Sequence, residues 1–511
     1  MHTARHTSLF TATAIGISTM IGSGWLFAAY YSAKYAGPAS IFSWIIGAVI
    51  TLCLALLLAE IVTLHQQRGL FARLLTITHN RDCGFIIAIS NWLCMVIMIP
   101  SEAEATTQYI STLNSHWTPY IFHQHQLTII GTLIVFLLIV FYGFINFWGL
   151  KSLAKANNVI TVIKLLVPLI TAVVIIATAF HVHNFTAYKG TIAPYGIDRI
   201  FTAVTNSGIF YAFFGFSLIS VFTKEIKNPK RNIPIALVLS VFICLMIYLI
   251  LQVAFIGAIN PTAVNQGWQT LNFTSPLAQL ALLLNLNILA IILYADSALS
   301  PSGTGIVYTG SATRMLTGMA KDRQTPKFFD DVHPIYNFSR RSLVFSLLFS
   351  SVMVLFFNNW QKIMVVVTVF QLISCVAVPI AFTKLRETEA KQKRLFKMPF
   401  GKVCSFFLYL LLTYLLTQAG TKALFTSLIL HIIFFLFFSI SYYGRNLQKI
   451  KNAMKSCWTI FLYLVFTWIF GYFQDQHLLQ KPLVLCFFLF LAVVMYYVIL
   501  RQKDYHQKTM E

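Results

Sequence analysis

The chain has 511 residues, of which 58% are hydrophobic and only 10% charged. A soluble domain carries about 25% charged residues, so this chain lacks the polar groups to cover itself in water, and a lipid bilayer is its expected solvent. The net charge of +22, from 37 Lys and Arg against 15 Asp and Glu, raises the question of nucleic acid, which the placement of the basic residues answers in the negative.

Fourteen apolar segments, each near the roughly 20 residues that cross hydrocarbon as a helix, cover 8–31, 40–64, 84–112, 127–147, 156–180, 200–223, 234–258, 276–310, 342–357, 361–383, 403–418, 423–443, 457–474 and 482–500. If the N-terminus is placed inside, 30 of the Lys and Arg fall in inside segments and 6 outside, with Lys164 within a span. That is a positive-inside bias, and it predicts a multi-pass protein of a plasma membrane, a bacterial inner membrane, with both termini cytoplasmic. The basic loops are topology signals. The first apolar segment runs on into Gly-rich sequence without a cleavage site, so it reads as a span and not as a removable leader. The eight Cys occur without a CxxC pair and the His residues without an HExxH, which argues against a disulfide framework, a metal centre, a cofactor or an enzyme. His431 is read as a helix-packing residue. Ala312–Ala320 forms a short amphipathic pattern expected along the membrane face.

The chain divides into two halves of five spans and a remainder: 1–190, 191–400 and 401–511. Because five is odd, the halves insert in opposite orientation, the inverted-repeat plan common among secondary transporters. The first span of each half is interrupted by small residues, Ile21-Gly22-Ser23-Gly24 in one and Ala212-Phe213-Phe214-Gly215-Phe216 in the other. Glycine costs a helix about 1 kcal/mol relative to Ala, so unwound points are predicted there. Backbone freed in lipid must line a cavity or meet a ligand. The N-terminal end of a half-helix offers N–H groups to a carboxylate, and a C-terminal end offers carbonyls to an ammonium. The Ser23 and Gly24 amides are therefore expected to meet the carboxylate of an amino acid, and carbonyls near Ile21, Phe210 and Ala212 its amine. Phe213, Phe214 and Phe216 supply candidates for a gate.

Ionisable residues within spans are costly and mark candidate pathways. Lys164 lies about nine residues into the fifth span, roughly 13 Å at 1.5 Å per residue, and is the candidate proton carrier. Glu102 and Glu104 lie two apart in the third span and so face different sides of a helix; spacing does not choose between them. Asp296, Ser297 and Ser300 occupy a bend-prone stretch ahead of Pro301. Glu60, near the end of the second span, is set aside from the path.

Three strings resemble the amino acid–polyamine–organocation transporters: Gly16 through Phe27; Phe210 through Phe216 followed by Glu225-x-x-Asn228-Pro229-x-Arg231-x-x-Pro234; and Arg314 through Asp322 with Pro326 after it. The resemblance covers about residues 10–400. It implies an all-α fold of two inverted five-helix repeats with about four added C-terminal helices, substrate contact by the broken helices, and a Lys164 that stands in for a sodium ion. Within the family, the Pro-Ser-Glu string at 100–102, the Ser-Pro-Ser-Gly-Thr string at 300–304 and the span count look most like the aspartate:proton symporter branch. Many relatives carry an acid where this chain has Ser217, so a substrate preference tied to that acid does not transfer. The expected activity is proton-coupled symport of an amino acid by alternating access, with exchange in the same fold as the alternative. A channel and a non-transporting amino acid sensor are the readings of other classes. The partners are the amino acid, the proton and lipid; the amino acid itself and the oligomeric state are not legible.

Overall fold

The protein is described by a computed structural model covering residues 8–65, 70–124, 126–148, 153–216, 226–333, 338–444 and 446–502, with backbone alone for 153–160. Helix dominates. α1 (Leu9–Met20) and α2 (Gly24–Ala36) are followed by α3 (Ser40–Leu64), the short amphipathic α4 (Leu70–Thr78) and the long α5 (Arg81–Ser111). A single turn, α6 (Thr118–Ile121), and a two-residue hairpin pairing Phe122–His123 with Gln126–Leu127 lead into α7 (Ile129–Phe147) and α8 (Leu153–Thr178). α9 (Asp198–Asn206) and α10 (Ile209–Phe213) precede α11 (Pro229–Ala258), α12 (Pro261–Asn265), α13 (Pro276–Leu283) and α14 (Asn287–Lys321). The last six are α15 (Arg340–Phe356), α16 (Trp360–Thr388), α17 (Gly401–Thr417), α18 (Thr421–Tyr443), α19 (Leu447–Asp475) and α20 (Pro482–Arg501).

All fourteen predicted segments contain helix. Among the described residues, nine helical stretches are long and apolar enough to cross a membrane. The other five segments escape that description for physical reasons. The first and sixth are broken into α1/α2 and α9/α10, α14 carries many polar residues, and α15 and α17 have 17 residues each. The chain is an all-α, multi-pass membrane protein.

Two boundaries differ from the sequence reading. The eighth span begins at Asn287, because 276–283 forms the separate helix α13. Residues 312–320 do not form a separate surface helix; they continue α14 to Lys321, with Ala312, Thr313, Leu316, Thr317, Met319 and Ala320 buried. An amphipathic stripe looks alike whether it faces lipid headgroups or a neighbouring helix.

α5 is the central post. It packs along α14 and α16 and also meets α4, α7, α15, α18 and α19, and 29 of its 31 residues are buried. Pro100 removes one helix N–H, and the Val96 carbonyl it would have served accepts instead from the Ser350 hydroxyl at 2.8 Å. The last helices are tied to the start of the same post. Asp82 Oδ1 accepts from the Tyr443 hydroxyl at 2.8 Å and Oδ2 from Ser456 at 2.7 Å. His431 bonds Ser90 through Nε2 at 2.6 Å and the Ser427 carbonyl through Nδ1 at 2.7 Å, joining α18 to α5. Glu60 is held by Arg386 at 2.7 Å, Arg394 at 3.0 Å and the Met398 amide at 2.7 Å, an ion-pair cluster between α3 and the end of α16.

Asp82→Ala removes the carboxylate acceptor of the half-buried Tyr443 hydroxyl and of the buried Ser456 hydroxyl, which still reaches the Ala453 carbonyl at 2.8 Å. Each such loss costs about 1–3 kcal/mol, so the variant should melt several degrees below the parent. Asp475→Ala, which removes an exposed cap on Thr421, should shift the melt by less. Equal shifts would refute the anchoring role of Asp82.

Candidate functional site

The first span breaks where the glycines predict. α1 ends at Met20 and α2 begins at Gly24, leaving Ile21, Gly22 and Ser23 between two helix ends. In the second half the chain leaves the α-helix twice, at Ser207–Gly208 and again at Phe214–Phe216, the latter within the stretch named from the sequence. α9 ends at Asn206, Gly208 takes φ +93°, and α10 runs through Ile209–Phe213 before the chain tightens at Phe214–Phe216. The left-handed conformation at Gly208 is open to glycine without strain. The two breaks face each other: a Cβ added at Gly24 would sit 3.1 Å from that of Ala212, and one at Gly215 would strike the Thr19 and Met20 backbone at 2.4–2.6 Å.

The Ser23 amide, at the N-terminal end of α2, already meets a carboxylate. It donates to Glu102 Oε2 at 2.8 Å. The Tyr211 hydroxyl donates to Glu102 Oε1 at 2.6 Å and lies 2.6 Å from Ser101 Oγ and 3.2 Å from Ser23 Oγ. Gly22 admits this acid, since a Cβ there would stand 2.8 Å from Glu102 Oε1 and 3.1 Å from Thr304. Of the two acids, Glu102 thus faces the break. Glu104 points elsewhere; it is buried, and among the described residues neither of its carboxylate oxygens has a hydrogen-bond partner.

The carbonyls expected to meet an amine also have internal partners. Phe210 O accepts from Gln371 Nε2 at 2.8 Å; Ala212 O and Ile21 O lie 3.4 Å from the Tyr248 and Thr304 hydroxyls, whose nearer acceptors are the Met20 and Ser300 carbonyls, each at 3.1 Å. Lys164 does not snorkel. Its ammonium is buried and donates to Ser18 O at 3.1 Å and Thr304 Oγ1 at 2.6 Å, tying α8 to the end of α1 and to α14. Asp296 lies on α14 with Oδ1 accepting from Ser300 at 2.8 Å and Oδ2 buried without a partner among the described residues. Ser297 offers its carbonyl to Thr106 at 2.9 Å.

Phe213 and Phe214, two of the candidates for a gate, pack against neighbouring helices: Phe213 against Trp44 and Tyr248, and Phe214 against Phe71 of α4. The ring at the break is Trp360, at the start of α16. Its Nε1 donates to Ser23 Oγ at 3.0 Å, and its plane stacks on Phe27 at 4.4 Å and Tyr31 at 5.8 Å. Trp360, Tyr211, Tyr248, Gln371 and Thr304 carry no assigned role in the sequence reading. Tyr211 and Thr304 stand within recognised strings; Trp360, Tyr248 and Gln371 have no local signal. Ser217, Lys224 and Glu225 lie outside the described residues.

The amino acid permease model matches residues 8–438. The chain belongs to the amino acid permease family. It is 40% identical to the glutamate/serine transporter AimA of Bacillus subtilis over 387 residues, which are 75% of this chain and 72% of that one. It is 29% identical to the aspartate-proton symporter of the same organism over 472 residues, 91% and 89% of the two chains. The fold is similar to that of a manganese transporter mutant from Eremococcus coleocola, with a TM-score of 0.53, 14% identity and coverage of 91% and 95%; that likeness concerns the fold alone.

Trp360→Ala removes both the stack and the Ser23 hydrogen bond of this permease, together about 2 kcal/mol. A bound amino acid should then dissociate about tenfold to thirtyfold faster in a rapid-filtration assay. Trp360→Phe, which keeps a ring against Phe27, should fall between. Unchanged release in Trp360→Ala would remove this side chain from the gate.

Proposed function

We propose that the protein is a secondary active transporter that takes up an amino acid across the plasma membrane in symport with protons, by alternating access. The observation that carries the reading is the Ser23 amide: the end of a broken helix beside a second broken helix, holding a carboxylate in a buried site. An amino acid's carboxylate suits the same N–H, and its ammonium suits the carbonyls of Ile21, Phe210 and Ala212. Residues 1–190 and 191–400 act as inverted repeats, each contributing one broken helix, while 401–511 buttress α5.

Lys164 is the coupling residue in this reading. A cation donating to Ser18 O and Thr304 Oγ1 bridges the first broken helix and α14, the place where a sodium ion would otherwise join them. Loss of its charge would loosen that joint, so proton binding and helix movement are linked. The names of the two relatives make L-glutamate, L-serine and L-aspartate the first substrates to try.

In proteoliposomes, uptake of one of these should rise with an inward proton gradient and not with sodium. Lys164→Ala should lose gradient-driven accumulation. Sodium-driven uptake, or unchanged coupling in Lys164→Ala, would overturn the coupling. Counterflow without any ion gradient, and no accumulation with one, would favour exchange. Binding without flux would favour a sensor.

A further inference from the structure

Two of the backbone groups suited to a substrate, the Ser23 amide and the Phe210 carbonyl, are engaged at 2.8 Å by the protein's own side chains, and one of those side chains is itself a carboxylate. Glu102 places Oε2 2.8 Å from the Ser23 N–H, at the helix end where the preceding reading puts the substrate's carboxylate. One N–H of this kind cannot serve two carboxylates at full strength. A second carboxylate brought beside Glu102 would also meet it as a like charge in a water-poor site, where such repulsion is large.

We propose that Glu102 is a resident stand-in for the substrate carboxylate, and that the amino acid binds by displacing it from the Ser23 amide as Glu102 takes up a proton from the aqueous phase. The proton neutralises the departing acid, so the site holds one carboxylate charge before and after binding. When the amino acid leaves, the proton leaves Glu102, and the carboxylate returns to Ser23.

Three features fit an occupant that comes and goes. Gly22 leaves room for the acid, since a Cβ there would stand 2.8 Å from Glu102 Oε1. Glu102 follows Pro100 by two residues on α5, where the helix ladder lacks an N–H. The second partner of Glu102, the Tyr211 hydroxyl, has Ser101 and Ser23 hydroxyls within 2.6 and 3.2 Å, so it keeps a partner when the acid swings away. A charge-assisted hydrogen bond is roughly twice as strong as a neutral one, so protonation weakens the hold on Ser23. Among the described residues, the charged and titratable groups around Glu102 are Lys164 of α8, Tyr211 of α10, Tyr142 of α7, Tyr248 of α11 and Tyr308 of α14, with Asp296 of α14 sharing Lys164. Thr304 accepts from Lys164 and approaches Gly22, the residue Glu102 also touches, and so links the acid's site to the lysine's.

The inference rests on the amino acid reading above, and the test separates the two. Equilibrium binding of radiolabelled L-serine, L-glutamate and L-aspartate is measured at about pH 5.5 and about pH 8 on the purified full chain, parent and Glu102→Gln; the net charge of each ligand barely changes over that range. The parent should bind more tightly at the lower pH, by up to about tenfold per unit for one coupled proton. Glu102→Gln should bind at the higher pH as tightly as the parent does at the lower one, with no pH slope. Adding ligand to the parent at about pH 8 should produce a protonated-carboxyl band in infrared difference spectra, a readout that stands even where the variant does not fold. A parent without a pH slope, a folded Glu102→Gln that keeps the slope or loses binding at both pH values, or the absence of that band would each overturn the displacement. No binding of any of the three by the parent at either pH would overturn the amino acid reading itself.

Discussion

A helix that stops in the middle of a membrane leaves N–H and C=O groups that lipid cannot satisfy. The bond from the Ser23 amide to Glu102 is how this protein meets that constraint at the N-terminal end of α2, the helix that follows its first break. Much of the surrounding structure serves that bond. Gly22 clears the approach, Tyr211 holds the other carboxylate oxygen, and Trp360 engages the Ser23 side chain. The carbonyl side of the problem is met by Thr304, Tyr248 and Gln371 from three further helices. A break that would otherwise be costly is satisfied at each of these points by a side chain.

Long continuous helices make this possible. α5 brings Glu102 to the break because its other residues are buried among α14, α16 and the later helices. The C-terminal helices contribute through Asp82 and His431, which fasten α18 and α19 to α5. Glu60 and its two arginines do similar work between α3 and α16. Buried charge is thus divided between two uses. Asp82 and Glu60 are fully partnered and act as fasteners, while Asp296 keeps one free carboxylate oxygen and Glu104 two, among the described residues.

The sequence carried much of the fold, since apolar length and basic-loop asymmetry are consequences of the bilayer that any span must obey. It also marked the first break, because two glycines about a serine destabilise a helix wherever they stand. In the second half the chain tightens at Phe214–Phe216, within the stretch the phenylalanines and Gly215 marked, and an additional turn stands at Ser207–Gly208, where Gly208 takes a positive φ. Trp360 was missed from the sequence for a physical reason. Aromatic side chains are abundant in any apolar span, and nothing local separates Trp360, which reaches Ser23, from Phe213, which packs against Trp44 and Tyr248.

The choice between Glu102 and Glu104 shows where reading by residue stops. Spacing established that the two acids face different sides, a matter of helical geometry alone. Which side held the break depended on how α5 is rotated against α2, α10 and α14, and rotation follows from packing across residues far apart in sequence. By itself the sequence determined a lipid-embedded, all-helical chain with a break at Ile21–Ser23 and a lysine deep in its fifth span, because composition, period and glycine content act locally. Only the tertiary structure decided that the Ser23 amide is held by Glu102, that Lys164 reaches Ser18 and Thr304, and that Trp360 stands over the site, because each of those contacts joins residues more than seventy positions apart.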